Sequence, residues 1–103
     1  MWFDTKELKA PIAHELANHC QQHEVGYAVM IHDVEELLIF ANLSPLYLIT
    51  PKPARKAKSY QKLIEHYLLD CKLLCVVEAQ KDLPIVAKNG IDGAIFKQVI
   101  DRI

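Results

Sequence analysis

Four short apolar runs alternate along the chain with segments of helical pattern. The runs are Tyr27-Ala28-Val29-Met30-Ile31, Leu46-Tyr47-Leu48-Ile49, Leu73-Leu74-Cys75-Val76-Val77 and Ala94-Ile95-Phe96. Their starts lie about 20 to 27 residues apart, close to the ~30 residues of a βαβ unit. Continuous apolar runs, rather than alternating ones, are the pattern of parallel strands covered on both faces by helices. The pattern therefore predicts a small three-layer α/β domain with a four-stranded, mostly parallel sheet. Trp2-Phe3 offers a fifth strand at one edge. The plan is that of half a βα-barrel or a small flavodoxin-like sheet, and for the four main runs the expected order is 2-1-3-4.

The segments between the runs read as helices. Leu8, Ile12, Leu16 and Cys20 recur every four residues and make one buried stripe. Asp4 and Glu7 have capping-box spacing, but Pro11 suits a first helical turn and breaks an interior. The first helix is thus expected either to start near Pro11 after a turn or to kink there. Asp33 caps a second helix over about 34–42, with Glu36 at its third position and Ser44-Pro45 beyond its end. Pro53 opens a third helix. Tyr60, Leu63, Ile64, Tyr67 and Leu68 carry its stripe to about Leu69. A short helix over about 81–89 ends at Asn89-Gly90, a left-handed cap pair. A last helical turn or two follows Lys97. The expected core is Leu16, Val29, Ile31, Leu48, Ile49, Ile64, Leu68, Leu74, Val76 and Ile95.

Composition narrows the class without naming a chemistry. At 103 residues the chain fits one domain, 1–103, able to bury a single core. A net charge of -1 gives no overall attraction to nucleic acid or anionic membrane. Low net charge also favours self-association, and the 34–42 helix, apolar on most sides through Leu37, Leu38, Phe40 and Ala41, points to a symmetric homodimer. Cys20, Cys71 and Cys75 form neither a disulfide framework nor a C-x-x-C pair, so reduced thiols are expected. The first residues lack a signal-peptide pattern, and no apolar run approaches the ~20 residues needed to cross a bilayer. A cytoplasmic protein without membrane association is the expectation.

Candidate chemistry gathers where strands should end. In parallel sheets, ligands bind beyond the carboxyl ends of the strands. His32-Asp33, Thr50-Pro51-Lys52, Glu78 and Lys97 fall there. Arg55 lies on the first turn of the helix after Pro53, in a basic run with Lys52, Lys56, Lys58 and Lys62. Free backbone N–H groups at a helix start, flanked by cations, suit phosphate or carboxylate. The candidate ligand residues are therefore His32, Asp33, Thr50, Lys52, Arg55 and Glu78, and the candidate ligand is an anionic small molecule. Each also has a plainer role, with Asp33 a cap and the lysines solvated. Acid–base catalysis by His32, Asp33 and Glu78 is disfavoured by short connections, which leave little room for a catalytic site. The basic run is short and has only Tyr60 for stacking, which argues against nucleic acid.

His19 and His23 share a helix face, with Cys20 between them. No second ligand pair lies nearby, so no metal is assigned. Glycine-rich phosphate loops and dinucleotide fingerprints are absent, and no cofactor is assigned. The preferred reading is a binding module for an anionic ligand at the carboxyl edge of the sheet. The alternative is a structural or regulatory interaction domain working as an oligomer.

Overall fold

The computed structural model describes residues 1–102. They form one parallel sheet of five strands: β1 Trp2–Asp4, β2 Ala28–Met30, β3 Tyr47–Thr50, β4 Lys72–Val77 and β5 Gly93–Phe96. The main helices are α1 Ala10–Gln22, α2 Val34–Ala41 and α3 Ala54–His66. A 3-10 turn, Gln80–Asp82, leads into α4, Leu83–Lys88, and α5 spans Lys97–Arg102. Among the described residues no helix is long and apolar enough to cross a membrane.

The parallel α/β plan holds, and Trp2-Phe3 does add the edge strand. The strand order differs from expectation. It is β1-β2-β3-β4-β5, each strand beside its predecessor in sequence. The expected order would have reversed direction after the first strand. Sequential addition through crossovers of one hand places successive helices on one face. That is the arrangement here. One core joins Ala13 and Ala17 of α1, Leu37 and Phe40 of α2, Ala57, Tyr60 and Ile64 of α3 and Val86 of α4. From the sheet it takes Phe3, Val29, Leu48, Leu73, Cys75 and Val77.

The alternate strand residues face the other way. Met30 and Ile49 cluster with Ile100 of α5, and Trp2, Ala28, Leu74, Val76 and Ile95 pack around them. The domain is thus three-layered with unequal layers, four helices against one. Leu74, Val76 and Ile95 are only half-buried for this reason, because six residues of helix cannot cover a five-stranded sheet. Leu16, on the flank of α1, is half-buried too.

Leu68 departs furthest from its expected burial, at 88% exposed. Helix α3 stops at His66, with Tyr67 as its C-cap. Leu68 then takes φ +53°, a left-handed conformation that ends the helix before its stripe reaches this residue. At the other end of the chain, Asp4 and Glu7 form a turn instead of a helix start. The Glu7 and Leu8 N–H groups donate to the Asp4 carbonyl, and α1 begins at Ala10 with a proline in its first turn. Gly90, at φ +71°, supplies the left-handed residue after α4.

Candidate functional site

The strands' carboxyl ends gather the sequence-selected residues along one edge, in two groups. The first ties β1 to β2. His32 Nε2 lies 2.6 Å from Asp4 Oδ1. The same oxygen accepts from the Lys6 N–H at 2.9 Å. Asp33 is the N-cap of α2 and accepts from the Glu36 N–H at 2.8 Å. The Glu36 carboxylate reaches back, accepting from the His32 N–H at 2.6 Å and from Thr5 Oγ1 at 2.8 Å. Among the described residues, His32–Asp4 is the one ion pair when the imidazole is protonated. Asp33 and Glu36 are thus committed to closing the β2–α2 turn, and His32 to holding the end of β1.

The second group surrounds the start of α3. Thr50 is fully buried, and its Oγ1 accepts from the Lys52 N–H at 3.2 Å. Pro53 is the N-cap and supplies no side-chain cap. The Lys56 and Ala57 N–H groups both donate to the Pro53 carbonyl at 2.9 Å. The Ala54 and Arg55 N–H groups precede the first intrahelical bond and have no acceptor within the helix. Lys52 Nζ sits 5.1 Å from the centre of the Tyr60 ring. That ring is buried, and among the described residues the Tyr60 hydroxyl has no hydrogen-bond partner. Arg55, Lys56 and Lys58 are exposed.

Glu78 is exposed beyond β4, between two clefts. One cleft, of about 800 Å³, opens on the thinly covered sheet face among Trp2, Asp4, Met30, Val76, Lys97 and Ile100. The other separates the start of α3 from α4, where Asp82 caps the Ala79 N–H at 3.2 Å. His32 and Glu78 follow strands separated by β3, two strand spacings or about 10 Å apart. The histidine and the two carboxylates considered for acid–base work therefore do not converge.

The sequence reading missed Asp4, Thr5, Glu36 and Tyr60 as members of this edge. Glu36 had a signal in its capping spacing, and Asp4 had one in its position after Trp2-Phe3. Tyr60 had none, since a helical tyrosine in an apolar stripe reads as core.

The other nucleophilic candidates are held neutral or turned away. Burial pushes the Cys75 thiol up to about 11. Burial also raises Cys71, reinforced by Asp92 and Asp70. Cys20 points into the core, with Sγ 3.7 Å from Met1 Sδ. It does not join His19 and His23, whose ring centres lie 4.3 Å apart with the planes tilted by 41°. No family model and no curated protein matches the chain.

Proposed function

We propose that this protein is a binding module for an anion-bearing small molecule, phosphate or carboxylate, held at the carboxyl edge of the sheet where α3 begins. The observation that carries the reading is an uncapped helix start flanked by cations. Ala54 and Arg55 present free N–H groups, Lys52 and Arg55 bring positive charge, and Lys52 Nζ lies 5.1 Å from the centre of the buried Tyr60 ring. A helix start of this kind favours a negative group through both its N–H donors and its dipole. Because the strand order has no reversal, there is no switch-point crevice, and the support comes from the helix start alone.

His32 and Asp33 serve this reading as scaffold, fixing the neighbouring turn. Glu78 borders the site and would select against ligands of high negative charge. The reading is tested by thermal shift with inorganic phosphate, sugar phosphates and dicarboxylates. A ligand that binds only the folded chain raises the melting temperature with concentration. The Lys52→Glu/Arg55→Glu variant should melt like the parent without ligand and show no shift with it. Equal shifts in both proteins would refute the assignment. A second reading, an interaction domain working as an oligomer, is favoured by the half-covered sheet face.

A further inference from the structure

Helix α1 ends in two histidines four residues apart. His19 and His23 are both exposed, and the His23 N–H donates to the His19 carbonyl at 3.1 Å. One helical hydrogen bond thus fixes their spacing, and residues four apart are neighbours on a helix face. The helix is anchored by Ala13, Ala17 and Cys20 in the main core. Its end is closed by the Val25 N–H, which donates to the Cys20 carbonyl at 2.8 Å. Neither imidazole is ion-paired, since His32–Asp4 is the one ion pair among the described residues.

We propose that His19 and His23 chelate one divalent late transition ion, copper(II) most tightly, through one ring nitrogen each.

The ring spacing points to this ion. A metal–nitrogen bond of about 2.0–2.1 Å puts each imidazole centre about 3.2 Å from the ion. Two rings at a right angle about the ion then have centres about 4.5 Å apart, against about 5.2 Å at the tetrahedral angle. The centres of His19 and His23 are 4.3 Å apart, the right-angled value. Adjacent positions of a square-planar or tetragonal ion are what copper(II) offers, and copper(II) also stands highest in affinity for nitrogen ligands.

Charge agrees. The carboxyl end of a helix carries partial negative charge, which favours a cation. Glu15, one turn before His19, and Glu24, next after His23, are exposed carboxylates. No lysine or arginine occurs between Lys9 and Lys52, so the carboxyl half of α1, β2 and α2 bring neither to this end. Lys72 also heads the amino edge of the sheet, but on β4, two strand spacings or about 10 Å from β2.

Among the described residues no three metal-ligating side chains converge, so this is not a closed structural centre with four protein ligands. It is an open chelate, with its remaining positions left to water or to a donor atom of a bound molecule.

Titration with copper(II) ion, followed by calorimetry and electron paramagnetic resonance, tests the proposal. The parent chain should bind one equivalent with a dissociation constant of about 10 μM or tighter. The spectrum should show two coupled imidazole nitrogens, and zinc ion should bind more weakly. His19→Ala and His23→Ala should each weaken binding about tenfold or more, because the second imidazole no longer binds within the same molecule. His14→Ala should change nothing. In the His23→Ala background, Glu15→His restores a pair four residues apart and should restore binding. Gln21→His in the same background keeps the histidine count at the wrong spacing and should not. A parent chain that binds no copper overturns the proposal. So does binding that survives loss of His19 and His23, that depends on His14 or Cys71, or that Gln21→His rescues.

Discussion

Gln61 and Asp92 hold each other twice. Gln61 Nε2 donates to Asp92 Oδ2 at 3.1 Å, and the Asp92 N–H donates to Gln61 Oε1 at 3.2 Å. The same Asp92 oxygen accepts from the Leu73 N–H at 2.9 Å. Gln61 is 3% exposed, so its amide depends on these partners. The pair ties α3 to the amino ends of β4 and β5. Asp92→Ala should therefore destabilise the domain by about 1–3 kcal/mol, the cost of stranding buried polar groups. Asp92→Asn should cost less, because it keeps an acceptor for Leu73. Denaturant unfolding of both variants checks the order.

Two residues of one sequence stripe have opposite fates. Ile64 is buried in the main core and Leu68 is almost wholly exposed beyond the end of α3. Ile64→Ala should cost about 2–5 kcal/mol. Leu68→Ala should stay within about 0.5 kcal/mol. Equal losses would place the end of α3 one turn too early.

Asp4 serves two donors, His32 and the Lys6 N–H, at the free edge of the sheet. Asp4→Ala should cost about 0.5–1.5 kcal/mol for a partly buried hydrogen-bonded group. The loss should be local. Hydrogen exchange should quicken in β1 and at the β2–α2 turn while β4 amides keep their protection. Uniform loss of protection would contradict a local strap.

Cys75 sets a direction for alkaline pH. Its thiol ordinarily titrates near 9.0 and is pushed to about 11 in the folded chain by burial. Between these values the folded protein holds a proton that the unfolded chain has released, so stability falls as pH rises through this window. The thiol should also resist alkylation at pH 8. Cys75→Val, which removes the titrating group, should flatten the fall in melting temperature above pH 9. An unchanged slope would assign the alkaline loss elsewhere.

The elements were legible in the sequence because each has its own local cause. Leu73 to Val77 form a continuous apolar run, the mark of a parallel strand with apolar side chains on both faces. Asp33 with Glu36, and Asn89 with Gly90, mark helix ends by spacing and conformation. Strand order has no such local mark. Nothing in Leu46–Ile49 distinguishes a strand beside β2 and β4 from one on the far side of β2. Order depends on how each crossover packs, and that is a property of the assembled sheet. The same holds at the candidate site. The basic run and Pro53 were visible as a helix start, whereas the Lys52–Tyr60 contact and the unpartnered hydroxyl arise only when α3 lies against the sheet. Gln61 was equally hidden, since a glutamine on a helix ordinarily reads as solvated.

An anion held at the start of α3 is detected by following backbone amide chemical shifts during titration with inorganic phosphate. Saturable shifts centred on Ala54, Arg55 and Lys56 are expected, with the Tyr60 ring signals moving in step. Lys52→Glu/Arg55→Glu should abolish them while the rest of the spectrum is retained. Shifts centred on Trp2, Glu78 and Lys97, or shifts that persist in the double variant, would contradict it.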